Sequence, residues 1–175
     1  MRTVRSVQRR PERIVWAVEV VDPGPAESLL EIGCGPGVAA GLVCERLSTG
    51  RLLAIDRSVV AVERTANGNV AHIAAGRLEV RKSALQKLRL PAGSLDKAFS
   101  VDVDLFWTGR ADRELAVLHA ALRPGGQLYV LYGAAGPTSA DRVTSAVAAS
   151  MLAGGFQDVR IVESDRGVGV RAGRP

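Results

Sequence analysis

The sequence predicts an α/β fold: a doubly wound, mainly parallel sheet that ends in a C-terminal antiparallel hairpin. Strand-type and helix-type segments alternate from residue 28 to residue 131 with no linker between them, the rhythm of parallel strands joined by crossover helices. A glycine-rich stretch, Gly33-Cys-Gly-Pro-Gly37, sits where the first strand should turn into a helix. After residue 152 the rhythm changes to two short strands divided by Glu163-Ser-Asp-Arg-Gly167, which is a hairpin signal.

The elements follow in order. Residues 11–21 read as a helix, because Pro11 suits a first turn and Ile14, Val15, Val18 and Val21 fall on one face; Asp22-Pro-Gly-Pro25 stops it. Strands are expected at 28–32, 51–55, 77–82, 95–101 and 127–131, and helices at 38–47, 58–66, 111–122 and 139–152. The closing hairpin takes 158–162 and 168–171. No repeat or composition shift marks a boundary, so one domain is expected over residues 1–175, with residues 1–10 a basic arm outside the core and a candidate for disorder.

Composition narrows the function classes. The chain is 47% hydrophobic but only 4% aromatic, which favours a core of branched aliphatics over an aromatic platform for single-stranded nucleic acid. Its net charge of +5 permits an anionic partner without demanding one; Arg2, Arg5, Arg9, Arg10 and Arg13 face only Glu12 at the front. Cys34 and Cys44 show no metal-ligand spacing, and no leader or run of roughly 20 apolar residues is present. Reduced thiols, a cytoplasmic location and no membrane partner are therefore expected. His72 and His119 stand in neither metal nor triad spacing, so no metal is expected. Oligomeric state is left open.

The glycine stretch carries the chemistry. Alternating glycines after a strand let the backbone turn sharply and approach a ligand, and the helix that follows offers free N–H groups. Gly35-Pro-Gly37-Val-Ala-Ala40 fits a dinucleotide fingerprint, with Asp56 close to the expected ribose acid. Glycine spacing alone does not decide between ligands. Glu31, two residues before Gly33, does: a carboxylate there would repel a diphosphate and attract an ammonium or sulfonium.

Glu31-Ile-Gly33-Cys-Gly35-Pro-Gly37 resembles the first motif of class I S-adenosylmethionine-dependent methyltransferases, a Rossmann-like family. Leu52-Leu-Ala-Ile-Asp56-Arg-Ser58 resembles the second motif, Leu95-Asp-Lys-Ala-Phe-Ser-Val101 the fourth strand, and Leu122-Arg-Pro-Gly-Gly126 the approach to the fifth. The resemblance implies S-adenosylmethionine as cofactor, held by Glu31, Gly33, Cys34, Gly35, Gly37, Asp56, Arg57, Ser83, Ala84, Ser100 and Val101. Within this set Asp56 would take the ribose hydroxyls and Cys34 would be a small filler rather than a nucleophile. One departure stands out: Ser83-Ala84 occupies the place where such proteins commonly carry an acid and an alanine for the adenine.

The segment after the fourth strand lies at the carboxyl edge of the sheet, where ligands collect in such folds. Asp102, Asp104, Phe106 and Trp107 are the expected acceptor-binding residues, Asp102 the candidate catalytic carboxylate, and the first helix, around Ile14 to Val18, the cover. Methyl transfer needs alignment more than a triad, and Asp102 would orient an amine or hydroxyl or take its proton. The leading expectation is a small-molecule acceptor. An RNA or protein acceptor is the alternative, with nucleic acid allowed by the basic front but not favoured; a nicotinamide-dependent oxidoreductase and a non-catalytic cofactor-binding protein stand behind it.

Overall fold

The computed structural model describes residues 10–136 and 139–175. Seven strands form one sheet: β1 (Ser28–Ile32), β2 (Arg51–Asp56), β3 (Leu78–Lys82), β4 (Leu95–Val101), β5 (Leu122–Gly133), β6 (Gln157–Ser164) and β7 (Gly167–Gly173). Their order is β3-β2-β1-β4-β5-β7-β6, parallel from β3 through β5, with β7 antiparallel to both β5 and β6. The reversal of strand order between β1 and β4 opens a crevice at the carboxyl ends of those strands.

Six helices connect and cover the sheet: α1 (Glu12–Val21), α2 (Val38–Arg46), α3 (Val59–Gly68), α4 (Val70–Ala74), α5 (Asp112–Ala121) and α6 (Ala140–Ala153). Strand alternation divides the core into two layers. Leu30, Ile32, Leu53 and Ile55 pack with Leu115 and Leu118 of α5 and Val143, Val147 and Met151 of α6. On the other face, Leu29, Leu52 and Ala54 pack with Trp16 and Val18 of α1 and Ala39, Ala40 and Val43 of α2.

Several boundaries differ from those expected. Pro11 precedes α1 rather than opening it, and its carbonyl accepts from the Ile14 and Val15 N–H groups at 2.9 and 3.1 Å. The helix α3 runs on to Gly68, and the short α4 follows it in a stretch for which the pattern predicts no element. β5 begins at Leu122, five residues early, because Leu122 pairs with Leu95 and because Gly125 N–H and Gly126 C=O bond Arg174 across the turn-like Pro-Gly-Gly segment. Tertiary pairing here overrides the local turn signal.

The first helix is pressed closely onto the end of the sheet. A Cβ at Gly167 would lie 2.3 Å from the Trp16 ring, and one at Gly133 would lie 2.5 Å from Arg13 Cδ. Of the basic front, Arg2, Arg5 and Arg9 lie outside the described residues; Arg10 pairs with Glu45 of α2 at 3.0 Å (Nη1 to Oε2). Among the described residues, no helix is long and apolar enough to cross a membrane.

Candidate active site

The loop between β1 and α2 is bent by three residues in the left-handed region, Gly33 (φ 75°), Gly35 (φ 51°) and Gly37 (φ 79°). Their surroundings separate their roles. A Cβ on Gly33 would strike Val103 at 2.6 Å, and one on Gly37 would strike the backbone of Thr65 at 2.7 Å, so these two allow close packing. A Cβ on Gly35 would meet nothing within 4 Å. That glycine faces open space.

Backbone bonds hold the loop against β2: the N–H groups of Gly33 and Cys34 both donate to the Ile55 carbonyl, at 2.8 and 3.0 Å. On its outer side, Thr65 Oγ1 donates to the Gly35 carbonyl at 3.0 Å and Asn69 Nδ2 to the Gly37 carbonyl at 3.1 Å. Asp56, at the tip of β2, takes the Gly35 N–H at 3.1 Å on one oxygen and the Ser58 N–H at 2.9 Å on the other.

Glu31 is a second carboxylate near this loop. It pairs in register with Ala54, two residues before Asp56, so both acids lie on the α1/α2 side of the sheet. It is 3% exposed, and its Oε2 has no hydrogen-bond partner among the described residues. Burial, and secondarily the nearby Asp56 charge, push its pKa from an ordinary 4.5 up to about 8. A buried acid with a vacant oxygen favours a cationic neighbour.

Two cavities open at the carboxyl edge of the sheet. The first, about 440 Å³, runs from Gly33, Asp56 and Arg57 past Ser83, Leu85 and Gln86 to Thr108 and Glu114, with Asp102, Val103 and Asp104 along its border. The second, about 400 Å³, is walled by Arg13, Trp107, Tyr132, Gly133, Ala135 and Gly136, and shares Asp102 and Asp104 with the first. A left-handed turn at Asp102 (φ 56°) sets that shared wall. Its carboxylate takes the Gly133 N–H at 2.8 Å and Arg13 Nε at 2.9 Å, joining the ends of β4 and β5 to α1.

The predicted residues therefore divide. Gly33, Asp56, Arg57, Ser83, Asp102 and Asp104 line the first cavity, while Trp107, 37% exposed, lines the second with the two aspartates. Phe106 is 1% exposed and packs in the core, so it lines neither cavity. Glu31 and Cys34 are buried behind the glycine loop; the Cys34 thiol, which accepts from Thr65 Oγ1 at 3.3 Å, is pushed up to about 11 chiefly by burial. Ser100 is buried in β4 with its hydroxyl unpartnered, and Val101 packs against the α1/α2 layer. Ser83 Oγ donates to the Ala84 carbonyl at 3.0 Å. His72 meets Arg77 at 3.3 Å, and His119 stacks edge-on to Phe156.

Sequence reasoning missed Arg13, Gln86, Thr108, Glu114 and the segment from Tyr132 to Gly136. For Glu114 a signal existed: it stands four residues before Leu118 and seven before Ala121, on the buried stripe of α5.

Comparison with known proteins gives the family and the fold. Residues 29–126 match the family model described as a methyltransferase domain. An uncharacterized 37.1 kDa protein in transposon TN4556 of Streptomyces fradiae is 35% identical over 112 residues, 63% of this chain; the match spans 31% of that relative's length. The uncharacterized methyltransferase YdaC of Bacillus subtilis (strain 168) is 23% identical over 150 residues, covering 83% of this chain and 80% of the relative. Among solved structures, a SAM-dependent methyltransferase from Aquifex aeolicus superposes with a TM-score of 0.79 at 20% identity, over 95% of this chain and 93% of the other.

Proposed function

The chain belongs to the methyltransferase-domain family, which uses S-adenosylmethionine as methyl donor, and from that premise we propose that it methylates a small molecule seated in the second cavity. The observation that carries the cofactor assignment is the pair of carboxylates, Glu31 and Asp56, beside an open turn at Gly35. A diphosphate would meet the Asp56 charge there and would press Glu31 further towards its neutral form. The amino acid end of S-adenosylmethionine instead brings an ammonium for the buried, unpartnered Glu31 oxygen, and its ribose brings two hydroxyl donors for Asp56.

When bound, S-adenosylmethionine supplies a methyl group on a sulfonium centre, an electrophile that needs only an aligned nucleophile in a dry pocket. The chain's part is positioning. Gly35 leaves room for the cofactor, Asp56 orients the ribose, and Arg57, Ser83 and Leu85 flank the base. Asp102 holds the wall between the cavities, with one oxygen on Gly133 N–H and the other on the Arg13 guanidinium, and so acts as a strut. Asp104 borders both cavities and is the carboxylate that faces the acceptor, opposite Trp107. A cavity of about 400 Å³ suits a small molecule.

Isothermal titration tests the cofactor: S-adenosylmethionine and S-adenosylhomocysteine should bind and NAD should not, and Asp56→Ala should weaken binding by about 10- to 100-fold, the worth of charge-assisted hydrogen bonds. Turnover assays that follow S-adenosylhomocysteine, run with panels of low-molecular-weight amines and phenols beside total RNA and total protein, test the acceptor. Methylation of RNA or protein alone would replace the small-molecule reading.

A further inference from the structure

The first cavity has four carboxylates in its wall, and three are accounted for. Asp56 is tied to two backbone N–H groups, Asp102 to Gly133 and Arg13, and Asp104 stands at the border with the second cavity. Glu114 is the fourth. It is 8% exposed, lines the cavity beside Ser83, Leu85, Gln86 and Thr108, and makes no hydrogen bond or ion pair among the described residues. Burying a carboxylate without a partner is unfavourable, and its place in the first turn of α5, where the helix dipole favours negative charge, offsets part of that cost. A donor from outside the protein would complete it.

The cofactor has few donors to offer. If its ribose hydroxyls meet Asp56 and its ammonium the field of Glu31, the remaining N–H donor is the exocyclic amine of the adenine. Leu85 and Gln86 of the Leu85–Lys87 turn and Glu114 of α5 line the cavity together, and that turn and α5 pack on each other. No carboxylate comes from the strand side there, since position 83 is a serine whose hydroxyl donates to the Ala84 carbonyl. We infer that Glu114 accepts a hydrogen bond from the adenine amine and thereby sets which base the cavity takes. The inference rests on the cofactor reading above and adds to it a residue outside the glycine-loop and strand-tip motifs.

Calorimetry with S-adenosylhomocysteine and its 6-deamino analogue, in which hydrogen replaces the amine, tests this without turnover. The wild-type protein should prefer the amine-bearing ligand by about 10- to 100-fold, the range for a hydrogen bond to a charged group. Glu114→Met, similar in length and apolar, should lose that preference by weakening S-adenosylhomocysteine while leaving the analogue unchanged. Glu114→Gln should keep most of it, because its amide oxygen still accepts. Thermal unfolding shows that each variant is folded. A wild-type protein that binds both ligands equally overturns the inference whatever the variants do; so does a folded Glu114→Met or Glu114→Gln variant in which both ligands weaken by the same factor, or a Glu114→Met variant that keeps the preference. If the wild type binds neither ligand, the cofactor reading itself fails, and the two failures are distinct.

Discussion

The glycine loop and the wall of the second cavity are held by different balances of interaction. Around the glycine loop, the restraints are backbone hydrogen bonds and buried side chains: two N–H groups on the Ile55 carbonyl, and Thr65 and Asn69 on loop carbonyls. Around the second cavity, backbone bonds such as Asp102 N–H on the Leu131 carbonyl are joined by a partly exposed ion pair, Arg13–Asp102, whose side chains are 50% and 37% exposed. A chain that must always bind the same cofactor can afford rigid geometry on that side. The acceptor side is tied by contacts that a few substitutions could retune.

The largest expected effect sharpens this contrast within the loop itself. Gly37→Ala would put a Cβ 2.7 Å from the Thr65 backbone at a positive φ, so it should destabilise the protein by roughly 2–5 kcal/mol, from overpacking plus left-handed strain. Gly35→Ala meets nothing and should lower stability by only about 1–2 kcal/mol through strain, yet weaken S-adenosylhomocysteine binding more than Gly37→Ala does in whatever fraction remains folded. Denaturant melts and calorimetry on the pair separate packing from ligand space. Equal melting points would erase the distinction.

An intermediate effect comes from Glu31. Its folded-state pKa, about 8, lies above the ordinary 4.5, so the folded protein holds a proton that the unfolded chain releases between these values. The contribution to stability is present in full below about pH 4.5 and is lost as pH rises through about 8. The ligand-free protein should therefore lose stability from pH 5 to pH 8, and Glu31→Gln should flatten that slope. S-adenosylhomocysteine should favour the ionised carboxylate, so its affinity should rise over the same interval in the wild type and stay level in the variant. A wild-type slope retained in Glu31→Gln would assign it to another group.

The smallest effect belongs to the acceptor side. Arg13→Ala removes an exposed ion pair worth about 1 kcal/mol or less, so the melting temperature should move little and S-adenosylhomocysteine affinity should stay nearly intact. Turnover should fall severalfold as α1 loosens over the second cavity. A large loss of cofactor affinity would mean that the two halves are coupled through Asp102 and would break the comparison.

The same difference explains what could be read from the sequence. β1 and β4 fall where expected because short, largely apolar runs buried on both faces and bounded by turn residues are a local signal, and the glycine loop is legible because its three unusual dihedrals demand glycine within five residues. The second cavity depends on Arg13 meeting Asp102 across 89 positions and Gly133 meeting it across 31, pairings that no local pattern encodes. Asn69 is a second such case: its buried side chain donates to the Gly37 carbonyl, 32 positions away, and the chain turns there directly into α4. Phe106 and Trp107 are adjacent aromatics, but only burial tells the core residue from the one at the cavity.

The position of β7 between β5 and β6 also orders events during synthesis. The glycine loop, Asp56 and their neighbours lie within the first three strands, which come from residues 28–82, so the cofactor half can begin to assemble while the rest of the chain is still being made. Residues 127–131 of β5 pair on one side with β4, and residues 127–133 pair on the other with β7, whose residues 167–173 emerge last among the strands. Until then β5 presents an open strand edge, a template for pairing with other nascent chains. The loop that follows β5 waits too, because the Ala134 N–H bonds the Arg166 carbonyl in the β6–β7 turn and Trp16 packs against Gly167. On the ribosome, the wall of the second cavity is completed only after the glycine loop has its neighbours.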